Sequence, residues 1–357
     1  MKKIHLLLAA LSAMLFATCI REIDLFTDEG DLSTVVVDGD FTDSPGPHQV
    51  RLTRPNKFAF SKFEFIRDAA VYVVDNVGNK AQYYLQFLPG DTFYELPPGA
   101  MPAVPGRLYH LEIVMPNGRT YQSRPQSLPQ KVEADSILVE GRIVPRVSGT
   151  DLVVEDERAY LTVRTTVPAG ANDVYLRWDA HCVYYFPELV QSGPLPPPTK
   201  QCYVTDYFNL QNIPLLRLQN QAGKTVDFEI GSKLVDQAFG NSLYFNVVQR
   251  SISAEAFKFW EGFAKVANPQ GTVFDPPPGE VRGNIFNPND PTEVPLGYFE
   301  VASVDTLRRK VFNGDLGQTY YVLPPCDPNQ YETYSKSECF DCLILKNSTT
   351  AKPTGWK

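Results

Sequence analysis

The sequence contains no G-x-S-x-G elbow, no G-x-x-x-x-G-K loop, no G-x-G-x-x-G turn and no H-E-x-x-H pair. These absences remove the common signatures of α/β hydrolases, P-loop enzymes, dinucleotide-binding enzymes and zinc peptidases. Histidine is scarce: beyond His5 there are only His48, His110 and His181, at no metal-ligand spacing. No long basic cluster occurs, and 33 Lys and Arg face 41 Asp and Glu, for a formal charge of −8. An acidic chain of this kind is a poor partner for nucleic acid. No apolar run approaches the roughly 20 residues that cross a bilayer as a helix. No catalytic residue, metal or cofactor is therefore expected.

What is present begins at the N-terminus. Lys2 and Lys3 precede an apolar run from Ile4 to Ala17, and "LFATCIREID" (15–24) breaks that run at Cys19. Charged start, apolar core, small residues and then cysteine is the shape of a bacterial lipoprotein signal. Small side chains suit the peptidase, and the thiol accepts the diacylglycerol. The expectation is a signal peptide over 1–18, lipidation at Cys19 and a tether over 19–32. More than one acyl chain on that cysteine would give stable attachment to a lipid bilayer. Losing Lys2 and Lys3 lowers the basic count to 31 against 41 acids, so the mature charge becomes −10. Ile20, not Asp, follows the cysteine, which favours the outer membrane over the inner one.

Hydrophobic residues make up 43% of the chain and aromatics 12%, so it can bury a core and is not disordered. Thirty prolines sit between apolar runs, where they break helices and mark turns. Five cysteines remain beyond Cys19: Cys182, Cys202, Cys326, Cys339 and Cys342. Disulfides are the default for an exported chain. Cys182 and Cys202 flank the proline-rich "FPELVQSGPLPPPTKQ" and are expected to pair around it. Two of Cys326, Cys339 and Cys342 would then pair, with the choice open.

From residue 33 the pattern is strand, turn, strand. "STVVVDGDFT" (33–42), "HQVRLTR" (48–54) and the hairpin "AAVYVVDNVGNKAQYYLQF" (69–87) lead to a second hairpin, "RLYHLEIVMPNGRTYQSR" (107–124). This spacing predicts an antiparallel β-sandwich over 33–128. A second, larger β-rich domain is expected over 129–357. Its strands include "RAYLTVRTTVP" (158–168), "NDVYLRWDAHCVYYF" (172–186) and "GNSLYFNVVQRSIS" (240–253). The period changes at "SAEAFKFWEGFAKVAN" (253–268), which predicts one amphipathic helix near 253–267, capped by Ser253 and ended before Pro269. Strands follow at 297–304 and 307–312, and a cysteine-containing tail closes the chain. The fold class is mainly β.

The order of "VVVDG", "RDAAVYVVDNVGN", "GRLYHLEI…GRTYQS", "FKFWEGF", "GTVFDPPPGEVRGNIFN", "PLGYFEVASV", "CFDC" and "KPTGW" resembles a family of Bacteroidota envelope lipoproteins of unknown function. Genes of that family are often found beside those of TonB-dependent receptors. The resemblance implies an N-terminal Ig-like or carboxypeptidase-regulatory-like β domain. It also implies a TonB-dependent outer-membrane transporter as partner, and it carries no catalytic residues across.

Aromatics supply the candidate ligand contacts. Tyr184, Tyr185 and Phe186 open the loop between Cys182 and Cys202, and Tyr203 and Tyr207 follow it. Such rings suit sugar or peptide faces, and they equally suit a sandwich core. The leading expectation is a non-enzymatic outer-membrane lipoprotein that binds a ligand or serves TonB-dependent uptake. A surface glycan or peptide hydrolase is the alternative, since acids such as Asp275, Glu280, Asp290 and Glu293 could pair. A structural or adhesive surface module is the third reading.

Overall fold

A computed structural model of the chain describes residues 34–55, 64–88, 90–149, 151–190, 198–207, 213–241, 243–267, 281–318, 320–322, 326–327, 329 and 336–356. Signal, tether and Cys19 lie outside the described residues, as do Asp275 and Glu280. The chain is mainly β, as expected, with nineteen strands and one α-helix among the described residues.

The first strands are β1 (Val36–Thr42), β2 (His48–Arg54), β3 (Glu64–Phe65), β4 (Ala70–Asp75), β5 (Lys80–Leu88) and β6 (Asp91–Leu96). Then come β7 (Leu108–Val114), β8 (Thr120–Ser123) and β9 (Gln126–Ser127). Strand β5 pairs with β4 through its first half and with β6 through its second, so it turns the corner between two layers. β-branched and aromatic side chains alternate inward along these strands. Val37, Val50, Val71, Leu111 and Tyr121 fill the core between the layers. Ile285, Phe299 and Val301 complete that core from far beyond Leu128.

The second half contains β10 (Ala134–Val147), β11 (Val153–Thr166), β12 (Asp173–Pro187), β13 (Gln201–Tyr207), β14 (Leu215–Gln219), β15 (Thr225–Leu234) and β16 (Leu243–Ser251). Helix α1 (Ala254–Ala267), β17 (Ile285–Phe286), β18 (Leu296–Val311) and β19 (Ser348–Thr349) follow. Strands β10, β11 and β15 form a separate three-stranded sheet. It packs on the larger sheet around Trp178, whose indole stacks on Phe228 at 4.9 Å. The Trp178 Nε1–H donates to Gln249 Oε1 at 2.8 Å, so the core indole keeps a polar partner.

Strand β18 joins the halves. The two runs expected at 297–304 and 307–312 form one continuous strand of 16 residues. It lies parallel to β1 on one side and antiparallel to β16 on the other, making a single 16-stranded sheet. Tyr298 to Val304 are buried without a break. A strand covered on both faces loses the apolar–polar alternation of a half-exposed one. The close approach is set by Gly297 at φ +91°, where a Cβ would lie 1.9 Å from the Val37 carbonyl oxygen.

The expected helix forms as α1. Ser253 Oγ accepts from the Ala256 N–H at 3.1 Å, and the apolar face packs on Tyr175, Tyr298 and Ala302. No helix among the described residues is long and apolar enough to cross a membrane.

Two disulfides form, Cys202–Cys342 and Cys326–Cys339, and Cys182 is free and buried. The expected Cys182–Cys202 pair is therefore corrected. In the β12–β13 register Cys182 faces Asp206, while Cys202 faces Phe186. The two cysteines stand four rungs apart, about 13 Å along the strands, which is beyond disulfide reach. The loop between them is held instead by the C-terminal tail. The Leu189 N–H donates to the Cys339 carbonyl, and Glu188 accepts from the Cys342 N–H at 2.8 Å.

Candidate functional site

Five neighbouring strands, β2, β1, β18, β16 and β12, each send charged side chains to one face of the sheet at the seam. Asp38 and Asp40 stand two residues apart on β1, hence on one side of the pleat. Gly39 lies between them, where a Cβ would meet Val50 at 2.8 Å. Pairing sets Asp38 opposite Arg51 of β2 and Asp40 opposite Glu300 of β18. Arg177 of β12 is directly opposite Arg250 of β16.

Two arginines facing each other would repel. Carboxylates separate them. Asp179 accepts from Arg177 at 2.8 Å and from Arg250 at 3.0 Å. Glu300, only 3% exposed, accepts from Arg177 at 3.0 Å and from Arg250 at 3.3 Å through Oε1. Arg250 also donates to Asp40 at 2.9 Å. Trp260 of α1 closes the group: its Nε1–H donates to Glu300 Oε2 at 2.6 Å, and its ring carries the Arg177 guanidinium at 4.3 Å.

These contacts fix the protonation states. Burial pushes the Glu300 carboxyl up, but Arg177, Arg250 and Trp260 together hold it below the usual range. Asp179 is held low in the same way, against burial, by the two arginines. Burial opposes the charge on Arg250, and Asp40, Glu300 and Asp179 override it, so its pKa rises.

The charges line a cleft of about 430 Å³ that also reaches Pro47 and Gln49. Two of its polar groups lack a close partner among the described residues. The buried Arg177 Nε has no acceptor. Asp38 has only Arg51 Nη1 at 3.9 Å, because the Arg51 fork is engaged by Asp91 at 2.8–3.2 Å. The Asp38 side chain opens into the cleft, and the surrounding protein raises its pKa while Arg51 pulls it down. The cleft therefore offers a ligand the Asp38 carboxylate as an acceptor beside an ionic wall, while Arg177 Nε is enclosed within that wall. Among the described residues no cluster of three or more His, Cys, Asp or Glu is placed to hold a metal ion.

The aromatic candidates lie elsewhere. Tyr184 and Phe186 point inward from β12 and are buried in the core of the second half, so they present no face to a ligand. Tyr203 is buried under Trp356 at 4.9 Å, with Tyr185 opposite it on β12. Tyr207 alone is well exposed, beside His181 at 5.5 Å. The alternation of β12 turns Tyr184 and Phe186 away from Tyr185, which meets Tyr203 at 6.0 Å on the opposite face, the face that Tyr207 shares. Among the acids, Glu293 binds Asn287 and Tyr121, and Asp290 bonds to Thr292 within its own turn.

Arg177, Arg250, Glu300, Asp38, Asp40 and Trp260 were not anticipated as a site. Their signal is present in the sequence: single charges interrupt apolar strand runs in "YLRWDA", "VVQRSI", "YFEVAS" and "VVDGDF". A charge inside a buried strand requires a partner.

A family model described as "Domain of unknown function (DUF4249)" matches residues 20–308, a span that includes every charged residue of the cleft. No curated protein matches the chain.

Proposed function

The chain belongs to the DUF4249 family, and from that premise we propose that it is a non-enzymatic, lipid-anchored envelope protein that holds a small polar ligand in the seam cleft. The observation that carries this reading is the Asp38 carboxylate, open to a cavity whose other charged residues are engaged in ion pairs. A buried ionic network is a weak source of stability, since apolar residues of equal volume are often as good. A preformed polar wall fits the recognition of a ligand with both donors and acceptors. The cavity volume falls within the usual range for small-molecule sites.

The non-enzymatic reading is supported by the state of the acids. General acid–base work needs a carboxyl near the working pH. Arginines hold the Glu300 and Asp179 carboxyls low and Asp40 is engaged by Arg250, which leaves Asp38 without a second free acid among the described residues of the cleft. The N-terminal cysteine signal motivates attachment to the outer membrane through acylated Cys19, with a TonB-dependent transporter as the partner that receives the ligand. The test has two parts. Pull-down of the lipidated protein from its native membrane should recover such a transporter, and small polar compounds should raise its melting temperature. Recovery of no transporter, with no stabilising compound, would overturn the proposal.

A further inference from the structure

Helix α1 separates two cavities. Trp260 faces the ionic cleft, while Lys258, Phe259 and Gly262 face a second groove of about 730 Å³ on the other side. This groove runs between α1, the β8–β9 connection and the segment leading into β17.

Its charge runs against that of the whole chain. Among the described residues Arg124, Lys258 and Arg282 line it with Glu255 as the only acid, a local excess of two positive charges on a chain of net charge −8. Arg124 and Lys258 have no ion pair among the described residues, so their charges are available to a ligand. The floor is prebuilt. Asn284 is buried and clamped to Phe299, with Nδ2–H donating to the carbonyl at 2.8 Å and Oδ1 accepting the N–H at 2.9 Å. Gln126 is buried too, donating to the Tyr298 hydroxyl and accepting from the Val301 N–H at 3.3 Å. Gly283 admits no side chain, because a Cβ would lie 1.6 Å from the Gly297 oxygen. One wall is aromatic: Phe259 stacks on Tyr298 at 4.5 Å and remains half-buried at the groove.

We propose that this groove binds a small organic anion, its carboxylate between Arg124 and Lys258 and its flat ring face against Phe259. The site is independent of the ligand assigned to the cleft. A charge-assisted contact from each cation selects the carboxylate, and a rigid floor lowers the ordering cost of binding. An acidic sugar and an aromatic acid share this chemistry, so both are used as probes.

The experiment is calorimetric titration of the protein with galacturonate and with benzoate, each beside its neutral counterpart, galactose or benzyl alcohol. At least one anion is expected to bind about tenfold more tightly than its neutral counterpart, and more weakly in high salt. Binding by galacturonate alone assigns a sugar acid, and by benzoate alone an aromatic acid. The double variant Arg124→Glu, Lys258→Glu, which alters only exposed side chains, should lose about tenfold in affinity or more. Asp38→Asn, in the other cavity, should leave it unchanged. The proposal is overturned if neither anion binds, if neutral and charged probes bind alike, or if the double variant binds as the parent does.

Discussion

The indole N–H of Trp260 reaches Oε2 of Glu300 at 2.6 Å, tying the only α-helix among the described residues to the strand that joins the two halves. Glu300 also serves Arg177 and Arg250, so one carboxylate holds a helix and two guanidiniums. Glu300→Ala should destabilise the protein by about 3–5 kcal/mol, because the buried Arg177 and the half-buried Arg250 lose a shared acceptor. Trp260→Phe removes one hydrogen bond to a charged group and should cost about 1.5–3 kcal/mol. Urea unfolding measures both. Equal small losses would show that the network is not coupled through Glu300.

Stability should fall with acid in two stages. His48 and His181 have lowered pKa values, mainly through burial. The unfolded chain then takes up protons first, and stability declines as pH drops below the ordinary imidazole value of 6.5. Glu300 and Asp179 are lowered as well, so their contribution is present above the ordinary carboxylate range and is lost as pH falls through their folded values. Asp38, raised, has the opposite sign and eases the loss slightly. Melting temperature measured from pH 8 to pH 3 should show a shallow decline and then a steep one. A flat profile down to pH 4 would contradict the histidine stage.

The thiol inventory distinguishes the disulfides found here from the pairing expected at first. A chain starting at Ile20 should show no reactive thiol when native, since Cys182 is fully buried and its pKa is pushed up to about 12. Denaturation without reductant should expose one thiol, and mapping should place it at Cys182. Cys342→Ser opens a link across 140 residues and should cost about 2–5 kcal/mol. A free thiol at Cys342 would contradict the structure.

Gly297→Ala tests the seam itself. The added methyl would have to displace the Val37 backbone at a left-handed φ. A loss of more than about 3 kcal/mol is expected, in the range diagnostic of a backbone clash. A neutral result would mean that β1 and β18 pair less closely than described.

Local patterns in the sequence indicated much of the fold. The "DNVGN" turn places the β4–β5 hairpin, and the Phe257 and Trp260 spacing after Ser253 places α1. Pairing between distant segments was not legible. No local pattern indicates that Leu296–Val311 lies parallel to Val36–Thr42, and that one pairing builds both the shared core and the cleft. The burial of Tyr184 and Phe186 on β12 was not legible for a related reason. The strand is covered on both sides over much of its length, so alternation does not mark a free face. The expected Cys182–Cys202 pair failed likewise, because proximity along a proline-rich loop says nothing of register, whereas Cys326 and Cys339 of the tail do pair.

Native mass spectrometry of the protein purified from the cells that make it is the decisive measurement for the cleft. A small polar molecule is expected to travel with the parent protein and to be absent from Asp38→Ala, whose ion pairs among Arg177, Asp179, Arg250 and Glu300 are retained. The same mass for both proteins, with nothing bound to either, would contradict it.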